Sequence, residues 1–520
     1  MKLRMTTLFA VLMAVGTTAA EKLPLITITA DTALNAQTKV TARMKAGDYN
    51  GWIGIKLRGN SSLSFNQKKY TIELRDDNGD ELEAPLLGLP AHSDWVLLAP
   101  YNDVSMVRDP LAFQLWRDMG HWGPRTQMVE VMLNGDYRGV YILAEAIKRG
   151  TDRVDIAKLK KDDVSGRELT GGYILRIDTY NDGDATFPSK VPGVGEGIMT
   201  SQITWSCIYP KKSKLQAGQM SYIEQFVDSM EATIQSEHFT DERWGYRRYI
   251  DVPSFVDYFI HTELSLNADG YKRSAYFYKE KVREDGTGGK LFAGPVWDYN
   301  LAYGNCNFCN ADNIEAWCYE GGNTQPTPAF WQRLLQDPDF RRAVKARYEE
   351  LRKGVLSRKH IFGYIDRHAK LIAPYQKRHF EKYPELLVSE EQREQLAQQP
   401  SFPFPPMPDG TLPFPPVNGD SIQPFPGGFA FPPVPHDFDM GTFGGFGDPV
   451  GWFAAYRVSS YKEEIKVLKQ WLADRLAFLD REIARFDKDF EPRIQELREL
   501  KMPTFEGGFG FPFAFPPMPQ

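Results

Sequence analysis

Nineteen of the 36 prolines in this 520-residue chain stand in two short stretches, fourteen between Pro400 and Pro449 and five between Pro503 and Pro519. Proline fixes φ and has no backbone donor, so neither stretch can form a helix interior or a central strand. Phe404-Pro405-Pro406-Met407-Pro408 recurs as Phe431-Pro432-Pro433-Val434-Pro435 and as Phe515-Pro516-Pro517-Met518-Pro519, with a partial copy at Phe414-Pro415-Pro416-Val417. Such segments are expected to be extended, polyproline-like and disordered. Between the two tracts, Ser460 to Phe486 carries Ile465, Leu468, Leu472, Leu476 and Leu479 at helical spacing. That amphipathic helix needs an apolar surface to cover, so residues 400–451 read as an insertion and 491–520 as a tail. The folded body is then residues 21–399, completed by a helix within 452–490.

The body has an ordinary globular composition, which excludes a wholly disordered chain: 42% of the full chain is hydrophobic and 25% charged. A net charge of −6 argues against broad nucleic-acid binding. Lys2 and Arg4 precede the apolar run Leu8–Val15 and the small residues Gly16 to Ala20, the order of a secretory signal peptide with cleavage after Ala20. No later stretch reads as a membrane span, so the expected product is secreted or periplasmic. In an oxidising compartment, Cys306, Cys309, Cys318 and Cys207 favour disulfides over free thiols, and over a zinc site that lacks further ligands.

Short alternating runs such as Ile53-Ile55-Leu57 and Tyr70-Ile72-Leu74 predict strands. Val129 to Leu143 reads as a hairpin around Asn134-Gly135. Asp109-Pro110 opens a helix, and two more are predicted from Ser221 to Gln235 and from Asp251 through Asn267. Strands follow at Gly172–Asp178, Ser274–Lys279 and Leu291–Trp297. Helical periodicity returns from Ala329 to Tyr383, with a basic face expected to be solvated. The fold class is α+β.

Three clusters carry candidate chemistry. Arg58-Gly59-Asn60-Ser61-Ser62, followed by Lys68-Lys69-Tyr70, suits a phosphate, because small residues expose backbone donors and a strand-borne lysine neutralises charge. A surface turn beside a solvated lysine has the same appearance. Asp269, in Asn267-Ala268-Asp269-Gly270, is placed to accept a proton from a hydroxyl, or simply to form a turn. Asp298 ends an apolar strand in Gly294-Pro295-Val296-Trp297-Asp298, where a hard carboxylate suits Mg²⁺. The two aspartates flank one apparent strand pair, which could bring them together.

In this order, RGNSS…KKY, NGDYRGVYILAE, LNADGYKRSAYFYK and GPVWDYNLAYGN resemble the spore coat protein H (CotH) kinase family over roughly residues 50–305, and more weakly to about 485. The resemblance implies an atypical protein kinase-like fold, with mixed or antiparallel sheets and a helical C-terminal part over 326–399. It also implies ATP with Mg²⁺ or Mn²⁺, and transfer of the γ-phosphate to Ser or Thr of exported proteins. By that resemblance Lys68 contacts the phosphates, with Lys69 as alternative, and Glu145 is a candidate lysine partner. Arg58, Asn60 and Ser61 complete the nucleotide side, Asp269 is catalytic and Asp298 binds metal. Two positions depart from the pattern. Ser274 stands where many members have Asn, and Asn300 where many have Asp, which weakens a second metal more than the first. Against the kinase stands a reading from another class, an inactive scaffold whose Phe/Pro tracts bind protein partners.

Overall fold

The computed structural model describes residues 22–497, apart from 179–182, 196–200, 308, 322–325, 390, 393–457 and the side chain of Ser61. The expected signal peptide, the Phe/Pro insertion and residues 498–520 of the tail lie outside the described residues.

Seven strands close into a barrel: β1 (Leu25–Thr29), β2 (Val40–Ala46), β3 (Tyr49–Arg58), β4 (Lys69–Arg75), β7 (Asp94–Leu98), β8 (Thr126–Leu133) and β9 (Asp136–Glu145). A small hairpin, β5 (Ala84–Leu86) with β6 (Leu89–His92), lies between β4 and β7 in sequence. Neighbouring barrel strands are antiparallel except β1 and β8, whose parallel pairing from Leu25↔Glu130 to Ile28↔Leu133 closes the ring. Closure removes both sheet edges. Alternation sends Ile53, Ile55, Ile72, Leu74, Trp95, Val129, Val131 and Leu143 into the barrel core. The expected hairpin is β8–β9, with Asn134 and Gly135 both left-handed (φ 51° and 78°), as its two-residue turn requires.

A second sheet is wholly antiparallel, in the order β11-β12-β10-β13-β14: β10 (Tyr173–Ile177), β11 (Ala185–Pro188), β12 (Thr204–Tyr209), β13 (Ala275–Lys279) and β14 (Leu291–Ala293). The last strand is shorter than the sequence suggests. It ends where Gly294 turns to φ 100° and Pro295 brings no donor.

Helix α1 (Arg108–Asp118) has apolar residues in the core shared with β7 and β9, and short α2 (Gly166–Leu169) precedes β10. Then come α3 (Ala217–Gln235) and α4 (Val252–Ser265), the latter capped by Asp251, which accepts from Ser254 N at 3.0 Å. Four helices follow, α5 (Phe330–Leu334), α6 (Pro338–Arg352), α7 (Arg358–Ile372) and α8 (Gln376–Lys382). Their basic residues are not merely solvated. Arg347 pairs with Asp257 at 2.8 Å and Arg352 with Asp480 at 2.7 Å.

The amphipathic segment after the insertion is α9 (Tyr461–Ile483). Its Leu468, Leu472, Leu476 and Leu479 are buried in the core that also takes in α1, α4 and the second sheet. The mixed α+β reading therefore stands, and the first of its sheets closes into a barrel, which the sequence reading did not specify. No helix among the described residues is long and apolar enough to cross a membrane.

All four cysteines are buried and no disulfide joins them, contrary to the expectation. Cys207 sits on β12 and donates to Tyr209 O at 3.3 Å, whereas Cys318 donates to Asn267 O at 3.4 Å, so two of the thiols are engaged by backbone carbonyls, one local and one 51 residues away.

Candidate active site

A cleft of about 380 Å³ opens between the β3–β4 end of the barrel and the loops flanking β13 and β14. On the barrel side, β3 ends at Arg58, which pairs in register with Lys69 at the start of β4. Gly59 opens the connection 59–68 between them at φ 122°, a conformation that favours glycine, and a Cβ there would fall 1.9 Å from Ser62 Oγ. Arg58, Gly59, Asn60 and Ser62 line the cleft. Ser61 opens the adjoining 3₁₀ turn Ser61–Leu63.

Strand alternation separates the two lysines. Tyr70, Ile72 and Leu74 point into the barrel, so Lys69 and Thr71 face the cleft. Lys68 points elsewhere: its Nζ donates to Leu63 O at 2.7 Å, beside a different hollow formed with Leu57, Tyr70 and Arg138. Of the two candidates, the structure brings Lys69 to the cleft.

Glu145 is not there either. Register places it opposite Trp95, which pairs with Ile72, so it lies three residues along and two strands across from Lys69, about 14 Å away over the sheet. Its buried carboxylate is held instead by Arg125 at 2.7 Å and Arg153 at 2.5 Å.

From the other side come both aspartates. Helix α4 ends at Leu266 in the left-handed region (φ 43°), and Asn267 then accepts from Asp269 N at 3.2 Å. Asn267 also donates to Asp298 O at 3.3 Å, which ties the two aspartate loops together. Gly270 is confined, because a Cβ would lie 2.7 Å from Thr262 and 2.9 Å from Cys318 Sγ. Leu266, Tyr271, Ser274, Asp298 and Tyr303 account for five of the ten non-glycine residues with positive φ among those described. Such conformations persist only where the surroundings over-determine them, and they concentrate at functional sites.

The charges are close-set. Lys69 Nζ stands 3.5 Å from Asp298 Oδ1. Burial pushes the Asp269 carboxyl up to about 6; Arg273 opposes the rise and Asp298 adds to it. Ser274 and Asn300 also line the cleft, and Asn300 Nδ2 donates to Asn102 Oδ1 at 3.0 Å. Arg58 lies over the Trp297 ring at 5.2 Å.

Sequence reasoning missed several residues here. Asp109, in the first turn of α1, is buried and pushed up to about 7, mainly by burial and then by Asp298, with Lys69 opposing. Its sequence signal was only that of a helix start. Arg176 and Asp178 also line the cleft from the end of β10, and Arg273 from the loop before β13. The alternation Arg176-Ile177-Asp178 at the end of an apolar strand was a usable sign of a polar face.

With this geometry in place, the comparisons decide the family. The family model described as CotH kinase protein matches residues 55–402, two-thirds of the chain. The chain belongs to the CotH kinase family. Its curated relatives include the inner spore coat protein H of Bacillus subtilis (strain 168), 23% identical over 311 residues, which cover 60% of this chain and 74% of that protein. The CotH match takes in Lys69, Asp109, Asp269 and Asp298, while α9 lies beyond it.

Proposed function

We propose that this CotH protein is a phosphotransferase that moves the γ-phosphate of ATP to a serine or threonine hydroxyl of an exported protein. The observation that carries this reading is the meeting of Lys69, Asp298 and Asp269 in one cleft, with Lys69 3.5 Å from Asp298. The donor set fits a nucleotide-borne cation. Among the described residues no three His, Cys, Asp or Glu side chains form a metal cage of their own. A site whose carboxylate is Asp298 suits Mg²⁺ that would take most of its other ligands from phosphates and water. That ion, when bound, neutralises charge on the β- and γ-phosphates.

The chain's own residues then divide the work. Lys69 and Arg58, with the backbone of the Gly59–Ser62 turn, hold phosphate oxygens. Asp269 accepts the hydrogen bond of the incoming hydroxyl and orients it, and takes its proton as the hydroxyl oxygen bonds to the γ-phosphorus and the bond from that phosphorus to the bridging oxygen breaks, releasing ADP. Asn267 keeps Asp269 and Asp298 in fixed relation.

A second reading, nucleotide binding with weak transfer, is favoured by the second-metal positions. Ser274 offers a hydroxyl on left-handed backbone, and the Asn300 amide is engaged by Asn102. Export to a secreted or periplasmic location is part of the proposal and rests on the N-terminal sequence. The test is to incubate the purified protein with γ-labelled ATP and Mg²⁺ or Mn²⁺, beside Asp269→Asn and Asp298→Asn. Label incorporation in the wild type that both variants lose supports transfer. Equal incorporation in all three contradicts it, and binding without incorporation selects the second reading.

A further inference from the structure

The first two residues of α1 are buried, and both reach the loop that carries Asp298. Asp109 Oδ1 accepts from Tyr299 N at 2.6 Å, one residue past Asp298. Arg108 Nε donates to Ala302 O at 3.0 Å. A single helical turn thus grips both ends of residues 299–302. Arg108 is itself held: its Nη1 meets Asp103 Oδ1 at 2.5 Å and Glu464 Oε1, on α9, at 2.6 Å. Glu464 and Arg108 are both buried, so the pair is shielded from screening.

This grip has work to do at Asp298. A non-glycine residue at φ 64° is strained relative to its relaxed conformation, and returning to φ below zero would swing the carboxylate away from its place 3.5 Å from Lys69. Asn267 restrains the carbonyl of Asp298, whereas Asp109 restrains the amide that follows it. The two bonds fix the peptide plane after Asp298 from both sides. Neither Asp109 nor Glu464 lines the cleft, so each acts through the loop and not on a substrate.

We propose that Asp109 is the positioning residue for Asp298, and that Glu464 on α9, outside the segment matched by the family, anchors this grip through Arg108. The proposal rests on the kinase reading for what Asp298 holds, a divalent cation carried by a nucleotide. It adds that the cation site depends on a helix separated from both aspartates by more than 150 residues of chain.

The test uses the full chain and two readouts. Anisotropy of a fluorescent ATP analogue gives the Mg²⁺ concentration for half-maximal binding, and hydrogen–deuterium exchange reports the Tyr299 amide. Asp109→Ala removes the acceptor, while Asp109→Asn keeps a carbonyl oxygen of the same reach. The alanine variant is expected to need about tenfold more Mg²⁺ and to exchange Tyr299 faster, with the asparagine variant within about threefold of wild type, the scale set by one buried hydrogen bond. Glu464→Ala is expected to shift the Mg²⁺ requirement in the same direction as Asp109→Ala. Lys469→Ala, on the same helix as Glu464, removes a surface pair with Asp366 of α7 and is expected to shift nothing.

Equal Mg²⁺ requirements in wild type and Asp109→Ala overturn the proposal and leave the kinase reading standing. So does an equal rise in the Mg²⁺ requirement of both Asp109 variants accompanied by equal loss of thermal stability, the mark of a merely structural role. A wild type that binds no nucleotide at any Mg²⁺ concentration sinks the kinase reading and this proposal with it, yet still allows the exchange data to show whether the Tyr299 amide is held.

Discussion

Lys68 and Lys69 are adjacent and both near the turn that begins at Gly59, yet strand geometry gives them different surroundings. Because Tyr70 and Ile72 fill the barrel, the cleft receives Lys69, while Lys68 closes onto the carbonyl of Leu63. Replacing Lys69 with Met is therefore expected to weaken binding of a fluorescent ATP analogue by about tenfold or more, the scale of one charge-assisted phosphate contact. Lys68→Met is expected to leave binding within about twofold of wild type. The same cleft sets a pH dependence. Asp269 must be ionised to accept a proton, and burial has raised its pKa to about 6, so the active form is lost as pH falls through that value. A plot of kcat/KM against pH is expected to rise about tenfold per unit below 6 and to level above it. A profile flat from pH 5 to 8 contradicts the assignment. Asp269 and Asp298 were legible in the sequence because each stands where an apolar element gives way to a loop. Asp109 was not, because its partner is a backbone amide 190 residues away, a contact that no local pattern encodes.

At the scale of elements, α9 is the piece whose importance sequence position conceals. Its apolar spacing was readable, but the buried polar contacts it makes were not. Arg475 donates to Glu263 O at 2.9 Å and to Ala316 O at 2.6 Å, which joins α4 to the loop beyond Asp298. Close packing is shown at Gly304, where the backbone has φ 74° and a Cβ would lie 2.4 Å from the Trp471 ring. Gly304→Ala is expected to destabilise the protein by about 2–4 kcal/mol, the sum of left-handed strain and overpacking, as measured by urea denaturation. A change under about 0.5 kcal/mol would mean that α9 packs more loosely than described. Barrel closure escaped the sequence for a related reason. Alternation reveals strands, but the pairing of Leu25 with Glu130 joins segments more than a hundred residues apart, and no turn signal announces it. Misplacing Glu145 followed from the same gap, since only register shows that it stands beside Arg125 and Arg153 instead of Lys69.

At the scale of the whole molecule, barrel and second sheet supply opposite walls of one cleft, and α1 with α9 hold the loops of one wall in place. The proline-rich tracts that first divided the chain flank α9 in sequence, so an element between two segments unsuited to regular structure takes part in the folded core. Phosphoryl transfer from this cleft would leave a covalent mark on its acceptor. Its most direct measurement is mass-spectrometric mapping of phosphate on an exported protein substrate, after incubation with ATP and Mg²⁺, in parallel with a nucleotide-binding titration of the same samples. The expected result is phosphoserine or phosphothreonine with the wild type, and its loss with Asp269→Asn although that variant still binds nucleotide. Phosphorylation that persists unchanged in Asp269→Asn would contradict the account.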